Sequence, residues 1–409
     1  MASDFRTDKS EELLLDALRC AIHGCCVSWG ADADAKTRGA VAKLAVSHAV
    51  LPLLVQALWS ENPSAEETEK NTLLSTARRM TLTQAARTGS FLLLLKELSG
   101  KGLHPLVIKG LVCRDLYPEP EQRSSSDEDL LIDPEDFPRY HEAMLSCGLQ
   151  LLKDYPSLEK EDEVTYVDPA RDLYVELHKR PFSSDSEVFA PCNELFSKAM
   201  ERRVSLEIYG CRVDTFHPSD HLLYLLCHAY KHILYGGVGI RQICDICLFA
   251  KRYSEEIDWS WLRLVCNDLG MDVLSAAFFR IGERYLDLRA PDAFADLDPD
   301  VLPLLCDCLR GGLYGADDPE RLHSSRITLD AASANLQHRH TRGWLAAAFP
   351  PGSSLLDTYP YLRKKPWLLP LAWCQRVCRY LFRRKSSPSR AMRIGRERVA
   401  LLKQYRVIS

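Results

Sequence analysis

The chain has 409 residues, 46% of them apolar and 26% charged, with 52 Lys/Arg against 56 Asp/Glu and a formal net charge of −4. These proportions fit a folded protein of two or three domains and exclude a disordered, collagen-like or multi-span membrane chain. The near-neutral total argues against a generic polyanion binder, yet it hides a gradient. Residues 363–409 hold 14 Lys/Arg and one acid, Glu397, a local +13 that leaves −17 on the other 362 residues.

The 15 cysteines are odd in number and show no disulfide-like spacing, and the N-terminus is polar, so a reducing cytoplasm without a signal peptide is expected. Cys244/Cys247, Cys306/Cys308 and Cys374/Cys378 read as buried thiols rather than zinc ligands or redox pairs. The longest charge-free run, 44–60, is too short and polar to span a membrane. It predicts a buried helical stretch interrupted by Pro52.

Residues 1–102 predict a helical region. Leu13, Leu14, Leu18 and Ile22 repeat at helical spacing, as do Leu73, Ala77, Met80, Gln84, Phe91, Leu94, Leu95 and Leu98, and residues 61–70 form a polar loop between them. Gly100 and Gly102 mark the stop. The period then shortens: 106–108, 129–132, 149–152, 164–167 and 173–177 read as strands, and 204–209 with 212–216 as a hairpin around Gly210. Asp133-Pro134 signals a helix start. Residues 103–217 are therefore expected to form a small mixed-sheet α/β core. Helical patterns resume at Pro218 and continue to about 345. Residues 346–370 read as a Pro-rich wrapping segment, with Trp367 and Trp373 docking on the protein's own core. A basic, helix-capable tail ends the chain at 409, solvated or docked on the body, or else serving an acidic partner. The fold class is α+β, a mixed sheet flanked by helical regions.

The chemistry concentrates at 109–129 and at Glu176. Residues two apart on a strand share a face, so Asp127 and Asp129 point the same way, and paired carboxylates call for a cation between them. Oxygen donors suit Mg²⁺, or Mn²⁺. Glu176, the one acid of an apolar strand, is the candidate third ligand, and His178 shares its face, as a supporting partner or simply the strand's end. The Lys109-Gly110 turn predicts N–H groups free for a phosphate, with Lys109 and Arg123 to offset its charge. The bland alternative for Asp127–Asp129, behind three serines, is a solvated acidic loop. His228 and His232 have the i,i+4 spacing of a zinc pair, but the glutamate of HExxH is replaced by Ala229, which favours packing or nucleotide contact. Arg241 and Asp245 are placed for an i,i+4 salt bridge.

The ordered blocks LVIKGLVCRDLYPEPEQRSSSDEDLLI, VELHKRPF, HLLYLLCHAYKHILYGGVGIRQICDI and YPYLRKKPWLLPLAW resemble the bacterial uncharacterised nucleotidyltransferase family of the polymerase-beta-like superfamily. The resemblance implies a nucleotidyltransferase core over 103–217. It makes Asp127, Asp129 and Glu176 the metal-binding and catalytic acids, with Lys109, Gly110, Arg123, Lys231 and Arg241 at the nucleotide. It implies transfer of a nucleoside monophosphate from a triphosphate, ATP foremost, to a hydroxyl-bearing acceptor. A non-catalytic nucleotide sensor is the alternative, and a nucleic-acid acceptor is less favoured. Leu111 stands where the superfamily has serine, and Glu128 stands between the acids, expected to face away from the metal. Asn at 127 and 129 is expected to abolish metal binding, keep the fold, and even stabilise it in metal-free buffer.

Overall fold

In the computed structural model the described residues are 5–27, 33–59, 67–315, 319–336, 359–363, 365–382 and 388–408. Four N-terminal helices come first: α1 (Lys9–Ile22), α2 (Ala35–Ser47), α3 (Leu51–Trp59) and α4 (Glu67–Gly100). Asp8 caps α1 by accepting the N–H groups of Ser10 and Glu11, while the Glu11 carboxylate accepts that of Asp8. The charge-free run is two helices rather than one interrupted stretch. The break is at Ala49, in the left-handed region (φ +54), and Pro52 sits in the first turn of α3, where its missing N–H costs nothing.

The core sheet contains β1 (Leu106–Val107), β2 (Glu128–Leu131), β3 (Gln150–Leu151), β4 (Glu163–Asp168) and β5 (Leu173–His178), in the order β1-β2-β5-β4-β3. Only the β2–β5 pair is parallel. Short α5 (Gly110–Arg114) links β1 to β2, and α6 (Phe137–Ser146) follows β2. Strand β2 opens at Glu128, so Asp127 lies one residue ahead of it. The hairpin β6 (Val204–Ile208) and β7 (Cys211–Thr215) turns through Tyr209 and Gly210, both at positive φ, which matches strand twist. Thr215 Oγ1 donates to the Val107 carbonyl at 2.6 Å and ties this hairpin to β1.

Among the described residues the C-terminal helices are α7 (Pro218–Tyr235), α8 (Ile240–Arg252), α9 (Trp259–Asp268), α10 (Asp272–Leu286), α11 (Leu302–Gly311), α12 (Pro319–Leu336), α13 (Leu369–Phe382) and α14 (Pro388–Gln404). Helix α7 is buried on nearly every face along residues 218–230. It forms the partition between sheet and helices. Among the described residues, no helix is long and apolar enough to cross a membrane.

Three expectations are corrected here. The described end of the Pro-rich segment folds into single turns at Pro360–Arg363 and Pro366–Leu368 followed by α13, rather than an extended strap; residues 337–358 lie outside the described residues. Trp367 is 71% exposed, and Trp373 joins a small cluster with Tyr359, Leu362 and Ala372 that is separate from the main core. Cys374 is exposed, whereas Cys244, Cys247, Cys306 and Cys308 are buried. Burial raises the Cys247 thiol to about 12, as expected for an inert core group.

Candidate metal and nucleotide site

The loop that delivers the acidic motif is not a solvated one. Ser125 N–H donates to Gln84 Oε1 of α4 at 2.7 Å, Arg87 reaches the Ser125 carbonyl at 3.1 Å, Arg114 holds the Ser125 hydroxyl at 2.5 Å, and Arg241 of α8 donates to the Ser124 carbonyl. Four anchors from three helices thus fix where β2 begins. The alternation of β2 then sends Asp129 to one face and Glu128 to the other.

On the Asp129 face, parallel register sets Asp129 directly opposite Glu176 of β5. Two residues on, His178 projects to the same side. Its Nε2 stands 3.3 Å from Asp129 Oδ1 and 3.7 Å from Glu176 Oε2, and its Nδ1 3.7 Å from Glu163. One donor atom each from Asp129, Glu176 and His178 lie within 4.8 Å of one another, a spacing that fits a metal ion. Lys109 Nζ donates to Asp129 Oδ1 at 3.3 Å and sits 3.1 Å from Oδ2, but too obliquely to hydrogen bond the latter. Asp129 Oδ2 is consequently a buried oxygen in an ion pair but outside any hydrogen bond, and His178 Nε2 likewise faces two carboxylates without a well-aligned hydrogen bond. A buried carboxylate oxygen of this kind is costly unless a cation or water takes it. The two carboxylates suit a hard ion such as Mg²⁺ or Mn²⁺, whereas an imidazole ligand suits a softer divalent ion.

Helix α7 roofs this face. Lys109 Nζ is 3.4 Å from His228 Nε2, which is 3.2 Å from His232 Nε2, and the His232 ring packs on Tyr314 with centroids 4.2 Å apart. Burial, then the positive charge of Lys109, pushes both histidines well below the ordinary imidazole value, so they are neutral. His178 goes the other way: burial depresses it, but Asp129 and Glu176 win and raise it to about 9. Asp129 resists burial because Lys109 and His178 hold its carboxyl well below the usual range. Lys109 is likewise kept charged against burial, by Asp129, Tyr314 and Asp127 among others.

The opposite face explains Gly110. Glu128 is fully buried, paired with Arg114 at 2.5 Å, and accepts the Leu111 N–H at 3.1 Å. A Cβ at position 110 would overlap the Glu128 Oε2. The turn glycine therefore makes room for a carboxylate of this chain.

The expected site residues divide accordingly. Asp129 and Glu176 converge. Asp127 is half-buried, with its Oδ1 accepting from Ser126 Oγ at 3.2 Å, and lies outside the three-residue cluster. Lys109 belongs to the site. The Leu111 N–H expected to greet a phosphate is taken by Glu128. Arg123, also expected at the phosphates, is buried in a two-point pair with Asp245 (2.6 and 3.2 Å), which accepts the Tyr117 hydroxyl as well. The i,i+4 bridge between Arg241 and Asp245 is thus replaced by Arg123–Asp245, and Arg241 instead anchors Ser124. Lys231, half-buried on α7, adds to the positive field at His228. Sequence reasoning missed Arg114, whose signal was Glu128 itself, a strand acid in need of a partner; His178, read as a supporting partner or the strand's end, lies within 3.7 Å of both Asp129 and Glu176.

A model of the family described as "Uncharacterised nucleotidyltransferase" matches residues 34–287. The match starts at Asp34, which caps α2, and ends at Asp287, the left-handed residue closing α10, so it takes in the sheet, the roof and every site residue except Tyr314. No curated protein and no solved structure matches the chain. The matched span is well over half of the 409 residues, and the chain belongs to the uncharacterised nucleotidyltransferase family.

Proposed function

We propose that the protein transfers a nucleoside monophosphate from a nucleoside triphosphate, ATP foremost, to a hydroxyl-bearing acceptor. The acceptor oxygen attacks the α-phosphorus, the bond to the β-phosphate oxygen breaks, pyrophosphate leaves, and the acceptor proton passes to a base. The observation that carries this reading is the Asp129–Glu176 register, with His178 beside it and a buried Asp129 oxygen outside any hydrogen bond. Asp129, Glu176 and Asp127, joined by His178, would hold divalent cations. Such ions, Mg²⁺ or Mn²⁺, supply acceptor activation and neutralise the leaving pyrophosphate in a two-metal arrangement.

The chain's own groups do the rest. Glu176, the more open of the two facing acids, accepts the acceptor proton. Lys109 and Lys231 offset phosphate charge. Arg241, with Arg123 through Asp245, acts by fixing the 123–127 loop, and Gly110 by admitting Glu128. The catalytic core corresponds to residues 103–217, with helical regions at 1–102 and 218–345 and the tail at 346–409. The odd number of cysteines without disulfide-like spacing suits the cytoplasm.

The test is incubation of the protein and cell extract with Mg²⁺ or Mn²⁺ and each triphosphate labelled at the α- or γ-phosphate. Label retained on an acceptor from the α position alone supports the proposal. Transfer from the γ position would replace it with phosphoryl transfer. A nucleotide sensor is the second reading, favoured by Lys109 resting on Asp129 and by Glu128 occupying the Leu111 N–H. Saturable triphosphate binding without transfer in any extract supports the sensor.

A further inference from the structure

The Lys109 ammonium lies within 3.3 Å of both Asp129 oxygens, buried between the sheet and α7. That is the carboxylate a divalent ion needs, and an ammonium on it repels a second cation. Lys109 also has a second partner in reach, the neutral ring nitrogen of His228 at 3.4 Å on the roofing helix. Asp129 Oδ2, held by the charge of the ammonium but not by a hydrogen bond, is the oxygen an incoming ion would take as the ammonium withdraws.

We infer that Lys109 is an internal counter-ion standing in for the divalent cation. The phosphates of a nucleoside triphosphate draw it off Asp129 toward the His228 side, so metal and nucleotide load together. This rests on the nucleotidyltransferase reading of the same site. The coupling is reciprocal: whatever nucleotide adds to metal affinity, metal adds to nucleotide affinity. In the absence of nucleotide, Lys109 keeps Asp129 paired and the acidic face closed to free metal.

The test is Mn²⁺ binding to the full chain by electron paramagnetic resonance, alone and with an α,β-methylene triphosphate that cannot be transferred. Wild type is compared with Lys109→Met, Lys109→Gln and Asp129→Asn. Removing the ammonium is expected to tighten binding of Mn²⁺ alone by about tenfold or more and to shrink the nucleotide-driven gain by a similar factor. If Asp129→Asn loses Mn²⁺ while the Lys109 variants bind it no better than wild type, the counter-ion inference falls and the metal site stands. If Asp129→Asn binds Mn²⁺ like wild type, the metal site falls and the inference with it. A Lys109 variant that folds only when Mn²⁺ is added supports the inference. Failure of both Lys109 variants to fold even with Mn²⁺ overturns it, because the ion would then not replace the ammonium.

Discussion

Asp129→Asn tests whether this acid is a loose ligand or a structural counter-charge. From the sequence alone, two uncompensated carboxylates repel, and neutralising them should stabilise metal-free protein. The structure reverses that sign. Asp129 is the shared partner of Lys109 and His178 in a buried setting. A pair at 3.1 Å is worth about 5 kcal/mol at an effective dielectric of ~20. Asn keeps an acceptor for Lys109, and His178, no longer held at about 9 by its neighbour, can shed its proton at pH 7. The net loss is therefore expected at ~2–4 kcal/mol, near the lower end of what breaking a buried ion pair costs. Urea unfolding at pH 7 in EDTA, followed by far-UV circular dichroism, measures it. Asp127→Asn, at a half-buried position, is the comparison and should stay within about 0.5 kcal/mol. An Asp129→Asn protein as stable as wild type or more so would refute the reasoning and restore the repulsion argument.

Glu128→Ala strands Arg114 in the core and should cost ~3–5 kcal/mol, whereas Glu128→Leu with Arg114→Met should recover most of it in the same unfolding assay. His178, at about 9 folded against ~6.5 unfolded, contributes up to roughly 3 kcal/mol that is fully present below pH 6.5 and lost as pH rises through 9. Metal-free stability should show that decline, and His178→Gln should remove it. His221 is held at about 3 by burial, so its contribution is present above pH 6.5 and lost as pH falls toward 3; an acid limb unchanged in His221→Phe would contradict this. Arg398→Ala, which removes donors to two carbonyls and a hydroxyl, should cost about 2–3 kcal/mol, read as a lowered urea midpoint.

Period and punctuation made much of the architecture legible. The strand alternation around Asp129 and Glu176 follows from local spacing, and so does the hairpin at Gly210. Parallel pairing of β2 with β5 does not, because register between strands about fifty residues apart depends on what lies between them. Partner choice was the other blind spot. Arg241 and Asp245 are four apart on α8, yet Asp245 pairs with Arg123, more than a hundred residues away. A helical i,i+4 pair is worth only about 0.2–0.5 kcal/mol, so a buried two-point guanidinium pair that also receives a tyrosine hydroxyl outcompetes it. Gly110 was singled out for the right property, room at the backbone, but the room serves Glu128.

The same logic applies to the last helix of the basic tail. A body at −17 and a tail at +13 suggest attachment through surface charge, and Arg390 does reach Glu320 at 2.9 Å. The buried contact is of another kind. Arg398 of α14 donates to the Ile233 carbonyl, near the end of α7, and to Ser324 Oγ at 3.0 Å. Thr328 of α12 takes the Leu234 carbonyl, and Arg321 the Gly236 carbonyl at 2.9 Å. These carbonyls belong to the end of a helix that has no further N–H groups to offer them, and a cation there also meets the negative end of the helix dipole. Helix α7 carries Tyr224, His228 and His232 over Asp129 and Lys109, so α12 and α14 fasten the roof of the site at its C-terminal end. A helix held in this way, by hydrogen bonds in a buried seat, is screened little by salt. Its influence on the site should therefore run through the position of α7 rather than through long-range attraction of a polyanion.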